Sequence, residues 1–450
     1  MNPQREAFTL LLGLAASAFT QPSYAIFTEL ISAWVLCPGR HTVTALIRIA
    51  DPGGRRAHDA YHRFLRAGVW SMAMLWASIA KHMVEVLCGN EEMLYLDVDD
   101  TLLHKSGRKV AGAANFRDPI RFRAGRLVYA LGLNVVVLTL RIRPPWGGEP
   151  LGCPINVRLF HKGGPTHNEL AAEMLEEVAA WLPEARFVLS GDGAYAALAA
   201  VGLPRTQVVS RMRRNAAVYE PAPPRVPGQR GRPRKKGQRL PSLFQLAAQA
   251  TWERVSLELR GKKATRLLYA RPVLWYRMCP TRQVLLVIVR DPERREEDDY
   301  FFTTDLSASP AWVAETYAGR WCIEDTFRNT KQFLGGEDPS AGRPGDPNGR
   351  RPCRFGPTLR CGPGTSPSWG PTNPGRIFPG TPPSAPPRSQ TPLRACAEPS
   401  GAHGFSRPPN RRCSWQKSPT PSSTFLPGQR RKESTATGFR AKLRKSTNEN

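Results

Sequence analysis

The sequence predicts an α/β fold, and three observations carry the prediction. Met93–Asp99 (MLYLDVD) alternates, with Leu94, Leu96 and Val98 on one face and Tyr95, Asp97 and Asp99 on the other, which is the pattern of a strand. From there to Val201 the segments read in order as strand, strand, strand, helix, strand and helix. Far downstream, Ser309–Gly336 reads as one more helix with marked ends. Ser309 can cap it, Pro310 suits its first turn and Gly335-Gly336 can close it.

Residues 1–90 read as helical. Phe27, Leu30, Ile31 and Trp34 recur at i, i+3, i+4 and i+7 after Pro22. Arg40–Ala50 reads as a second helix ended by Asp51-Pro52-Gly53-Gly54, and His58–Leu87 as a third segment with Phe64, Trp70, Trp76 and Met83. Ala7–Phe19 is apolar behind Arg5, and we read it as a helix in preference to a signal peptide. Arg55, Arg56, His62, Arg63 and Arg66 give the region a basic side that can touch DNA phosphates or serve as a plain solvated surface. In the core, Lys109–Phe116 and Leu133–Arg141 (LNVVVLTLR) are the expected antiparallel partners of the first strand. Thr166-His167-Asn168-Glu169 is a capping box before a helix to Leu182. Arg186–Leu189 is a short strand with Gly191-Asp192-Gly193 at its end, and Ala194–Val201 a further helix. These residues, 91–204, form the first part of the core.

Residues 205–305 read as a basic linker, Arg225–Arg239, followed by a β-rich insertion with strand-like runs at Trp252–Leu259, Lys263–Ala270, Val273–Met278, Gln283–Val289 and Tyr300–Thr304. Residues 306–338 return to the core as the marked helix. Residues 339–450 change character. From 341 onward there are 19 Lys and Arg against 4 Asp and Glu, and 20 of the 43 prolines, so no helical or strand period survives and a disordered basic tail is expected.

The 450 residues carry a net charge of +27, which suggests a polyanionic partner. No apolar run reaches the length of a membrane span, so no membrane role is expected. The nine cysteines form no CxxC pair, which argues against a zinc site or a disulfide framework and suits a reducing cytosol.

On the marked helix, Tyr317, Arg320, Glu324 and Lys331 fall within a sector of about 60°. A solvated face with an Arg320–Glu324 pair is the plain account of that stripe. The spacing adds another: Tyr-x2-Arg-x3-Glu-x6-Lys resembles the third catalytic motif of cut-and-paste insertion-sequence transposases of the DDE class. The resemblance spans roughly residues 20–338 and implies a ribonuclease H-like core in which three acids hold metal. We expect the catalytic and metal-binding acids to be Asp99, in the form Asp99-Asp100-Thr101, with Asp192 and Glu324. Asp97 is the reserve for the first position. Two Mg²⁺ ions, or Mn²⁺ in their place, are the implied cofactors, because hard cations take carboxylate oxygens and a metal pair can activate water and stabilise a leaving oxygen. The implied reaction is cleavage at transposon ends and joining to target DNA, by a homodimer in the DNA complex, in the cytoplasm near the nucleoid.

Tyr317, Arg320 and Lys331 are expected to hold the transposon end by its phosphates. Arg230-Gly231-Arg232-Pro233 resembles an AT-hook core, whose arginines can enter a minor groove, although a flexible basic linker is the simpler account. Trp275 can stack on an unpaired base or belong to the core of the insertion. Two other readings stand beside the transposase. Leu96–Thr101 also resembles the nucleophile motif of haloacid-dehalogenase-like phosphatases, with Asp97 attacking phosphorus and Asp99 as general acid. A DNA-binding remnant without chemistry is the third, because the resemblance stops at Gly336. We read the aberrant C-terminus as the product of a frameshift, which would leave the triad present and the enzyme inactive.

Overall fold

The computed structural model describes residues 3–89, 91–105, 110–118, 121, 127–224 and 231–338. Ten strands among them form one mixed sheet in the order β2-β3-β1-β5-β6-β10-β9-β8-β7, with β4 pairing β3 beside β2. Their ranges are β1 Met93–His104, β2 Ala114–Arg117, β3 Tyr129–Ile142, β4 Leu151–Leu159, β5 Arg186–Gly191, β6 Thr206–Arg211, β7 Glu253–Leu259, β8 Lys262–Val273, β9 Val284–Arg290 and β10 Asp299–Thr303. β1, β5 and β6 run parallel, and β3 is antiparallel to β1, β2 and β4.

The strand expected over Lys109–Phe116 is only the short β2, and the main partner of β3 on that side is β4. β4 lies outside the strands expected from the sequence, and Gly152 and Pro154 interrupt its alternation. Pro154 is tolerated because β4 is an edge strand with a register shift opposite Leu138/Thr139. The β-rich insertion is present, but it forms no sheet of its own. β10 pairs antiparallel with β6 and carries β9, β8 and β7 with it, so the open edge of the core strands is covered. Val273–Met278 is not a strand beyond Val273.

The helices in order are α1 Pro3–Gly13, α2 Gln21–Leu36, α3 Val43–Ala50, α4 His58–Ala67, α5 Met72–Leu87, α6 His167–Trp181, α7 Leu243–Gln249, α8 Pro310–Gly319 and α9 Cys322–Gln332. The single segment expected over His58–Leu87 breaks at Gly68, where the Trp70 ring lies against the backbone and leaves no room for a Cβ. Phe27, Leu30, Trp34, Trp76 and Met83 of these N-terminal helices share one core with Leu94, Leu138, Ile155, Met174 and Phe187 of the sheet and α6. Several of the basic residues there are paired internally: Arg55 with Asp51, Arg56 with Glu29 and Arg63 with Asp59. α6 starts with the expected capping box, Thr166 and Glu169 bonding each other's backbone. No helix among the described residues is long and apolar enough to cross a membrane. The tail from 339 onward lies outside the described residues, as does Arg230.

Candidate active site

β1 and β5 bring the first two acids together. Val98 pairs with Gly191 in parallel register, so Asp99 and Asp192 are the next residues on two adjoining strands. Gly191 is needed there, since a Cβ would stand 2.8 Å from the Tyr195 Cβ and 3.1 Å from Val98. Asp192 then turns, its Oδ1 accepting from the Ala194 N–H at 2.8 Å and its carbonyl from the Ser210 hydroxyl at 2.8 Å. Tyr195, buried beneath, donates to Asp100 at 3.4 Å. Its hydroxyl is held protonated by burial and by Asp100, Asp99 and Asp192.

The third acid arrives on a helix that is not continuous. The expected single helix is two, α8 and α9, joined through Arg320 and Trp321. Arg141, at the end of β3, packs against the break. Its Nη1 donates to the Thr316 carbonyl at 2.8 Å, taking the acceptor that an α-helical Arg320 N–H would use. The Arg320 N–H turns to Tyr317 O instead, at 3.2 Å, and Trp321 N–H to Ala318 O at 3.3 Å. Gly319 makes room, because a Cβ there would lie 2.5 Å from Arg141 Nη1. α9 is fixed from its other side by Thr326 Oγ1, which donates to Gly152 O at 2.7 Å where β4 lacks a side chain. It ends as the glycine pair predicts, with Gly335 at φ +62° and the Gly336 N–H on Thr330 O at 2.8 Å.

Across this junction the Arg320 guanidinium joins two acids. Nη1 donates to Asp99 Oδ2 at 2.9 Å and Nη2 to Glu324 Oε1 at 2.9 Å. Burial pushes the Asp99 carboxyl up to about 7; Arg320 opposes that shift and Asp192 adds to it. Burial also works against the charge of Arg320, but Tyr317, Asp99 and Glu324 hold it protonated. Asp99 therefore has Asp192 beside it on the next strand and Glu324 on the other side of the Arg320 guanidinium. Among the described residues, however, no three His, Cys, Asp or Glu side chains stand as a ready set of metal ligands. The donor set is all oxygen and suits a hard cation, and Arg320 now supplies the positive charge between two of its members.

The other expected contacts divide. Arg320 is 7% exposed and committed to carboxylates, so in this arrangement it is not open to a phosphate. Tyr317 is half-buried, its ring tilted against that of Phe301 at 4.4 Å between centroids, with its phenol raised by burial. Lys331 is half-buried too. Burial lowers its ammonium, while Glu337 and Asp118 oppose that shift. Trp275 is 3% exposed and meets Phe302 edge-on at 5.4 Å; it is a core residue, and the base-stacking role fails for that reason. Arg232 is exposed.

Asp97 is fully buried. Arg141 Nε donates to its Oδ2 at 3.0 Å, Nη2 bonds its Oδ1, and the Cys322 thiol donates at 3.2 Å. A nucleophile so enclosed cannot reach a phosphate ester, which removes the main support of the phosphatase reading. Arg141 itself is the residue the sequence reading missed. Its only signal was a cation ending an otherwise apolar strand.

No curated protein matches this sequence. A family model described as DDE superfamily endonuclease matches residues 20–282, more than half of the 450, and takes in Asp99 and Asp192 but stops before Glu324. With those two acids side by side at adjoining strands inside the matched span, the chain belongs to the DDE superfamily endonuclease family.

Proposed function

We propose that the protein is a DNA transposase of the insertion-sequence type, with Asp99, Asp192 and Glu324 as its catalytic acids. The observation that carries this is the Arg320 bridge. It ties Glu324, outside the family match, to Asp99 on the first strand, across a separation of 221 residues between Arg320 and Asp99. A ribonuclease H-like core fits the strand order β4-β3-β1-β5-β6, with one acid on the first strand and the next just past β5.

The three carboxylates would hold Mg²⁺ or Mn²⁺. When bound there, a metal pair would supply an activated water and stabilise the departing 3′ oxygen. The chain's own residues do the rest. β1 and β5 fix the first two acids in register, and Arg141 packs against the break before α9. Tyr195 donates to the Asp100 carboxylate, beside Asp99. Asp99, its carboxyl raised by burial against the opposing pull of Arg320, can carry a proton near neutral pH when no metal ion is bound there. The substrate in this reading is transposon-end and target DNA, gripped by a homodimer in the cytoplasm at the nucleoid, with the helices of residues 1–90 contributing to the grip. The frameshift reading of the tail is decided by the coding DNA: a helical continuation in another frame supports it, and none counts against it.

The test is nicking of supercoiled DNA by purified protein with Mg²⁺. Cleavage lost in both Asp192→Ala and Glu324→Ala is the expected result. Cleavage that survives either change overturns the triad, and DNA binding with no cleavage by the unaltered chain favours the non-catalytic remnant.

A further inference from the structure

Several arginines of the strand-rich half are paired with carboxylates. Arg211 meets Asp299, Arg214 Glu297, Arg271 Glu220 and Arg290 Asp298. Other cations are exposed without a carboxylate partner among the described residues, and the densest run of them is Arg232, Arg234, Lys235 and Arg239, with Arg277 next to Tyr276 in sequence.

Arg239 lies in a segment that is fixed to the fold from Lys236 onward, and Arg232, Arg234 and Lys235 lead directly into it. Lys236 sits 4.1 Å over the Tyr219 ring and 5.1 Å from that of Tyr276. The Gly237 N–H donates to Glu220 O at 2.9 Å, the Glu220 N–H to Gln238 O at 2.9 Å, and the Leu240 N–H to Val218 O at 2.9 Å. Tyr219 exchanges both backbone bonds with Leu274, at 3.0 and 2.8 Å. Gly237 packs so closely that a Cβ would lie 2.4 Å from Pro221 O. Unpaired like charges held side by side cost free energy by mutual repulsion, and a polyanion relieves it.

The sheet places this ribbon away from the acids. Leu274 follows the end of β8, five strand positions from β1 in the order β1-β5-β6-β10-β9-β8. At about 4.8 Å per strand that is about 24 Å. β9 runs parallel to β1 and begins at Val284, opposite Val273. The ribbon therefore lies toward the sheet end where β1 and β5 start, away from Asp99 and Asp192. No large exposed apolar side chain stands in the ribbon, which disfavours a lipid surface that would take in apolar groups.

We propose that Arg232–Arg239, with Arg277, is a second duplex-DNA contact, held ready by the clamp of Tyr219 and Tyr276 on Lys236, gripping phosphates about seven base pairs from the acids at 3.4 Å per pair. The proposal rests on the reading of DNA as the substrate. It is tested on the full chain without divalent ions, by fluorescence anisotropy of a labelled duplex of about 25 base pairs over a salt series. The triple variant Arg234→Ala, Lys235→Ala, Arg239→Ala should bind at least about tenfold more weakly at moderate salt, with the salt slope shallower by about 2.7, or about 0.9 per lost contact. Tyr276→Leu keeps every cation and releases one side of the clamp, so it should lose a smaller part of the affinity. Arg234, Lys235 and Arg239 are exposed and Tyr276 is half-buried, and an unchanged melting temperature of each variant confirms the fold.

An unchanged slope in the triple variant overturns the ribbon, as does a loss seen only with anionic vesicles. Cleavage is read separately with Mg²⁺. A chain that nicks DNA while the triple variant binds as before sinks the ribbon alone. A chain that binds through the ribbon but never nicks sinks the nuclease reading alone.

Discussion

Arg141 donates to the Thr316 carbonyl at 2.8 Å, at the point where one expected helix becomes two. By propensity alone, Gly319→Ala should stabilise a helix by about 1 kcal/mol. Here the new Cβ would stand 2.5 Å from Arg141 Nη1, so the sign reverses. We expect a loss of about 1–3 kcal/mol, the range for overpacking a close contact, together with weaker cleavage because α9 no longer aims Glu324. Urea unfolding measures the first and plasmid nicking the second. A variant more stable than the parent would refute the account of the break.

The Asp97–Arg141 pair makes a second prediction. Both partners are buried, and removing one leaves the other charged without a partner, at a cost of about 3–5 kcal/mol. Asp97→Asn should therefore be strongly destabilising in a denaturant titration. The phosphatase reading demands the opposite pattern, a normally stable protein that has lost hydrolysis of small phosphate esters.

Local chemistry was legible in the sequence, and chemistry supplied from a distance was not. The Thr166–Glu169 box, the Gly335-Gly336 close and the turn at Asp192 each depend on a few neighbouring residues, and each stands where the pattern puts it. The break at Arg320 is packed against an arginine from β3, which no reading of Ser309–Gly336 by itself can find. β4 escaped because its edge position excuses a proline that alternation counts against it. Trp275 stood between a surface and a core role because both fit an apolar run; only the Phe302 neighbour from β10 decides it.

Asp99 sets a pH dependence. Its carboxyl, pushed up to about 7 chiefly by burial, binds a proton in the folded chain at pH values where the unfolded chain, near 3.8, has already lost it. The folded state thus holds more protons between those values, and stability falls as pH rises from about 4 to about 7. Thermal melts of metal-free protein should show this fall for the parent, and a shallower one for Asp99→Asn. Parallel curves for the two proteins would mean that Asp99 does not titrate there.

Arg320 holds the same place in the charge balance that a bound cation would, and its removal separates the two. In the metal-free chain, Arg320→Ala leaves Asp99 and Glu324 without the guanidinium that now joins them, beside Asp192. Metal-free stability should drop. Mn²⁺ should then raise the melting temperature more than in the parent, because a ligand that binds only the folded state stabilises it according to its affinity, and the guanidinium no longer competes for the same oxygens. Adding Asp192→Ala should shrink that rise by removing one carboxylate. Equal Mn²⁺ shifts in the parent, Arg320→Ala and the double variant would place the metal elsewhere and remove Asp99, Asp192 and Glu324 as its ligands.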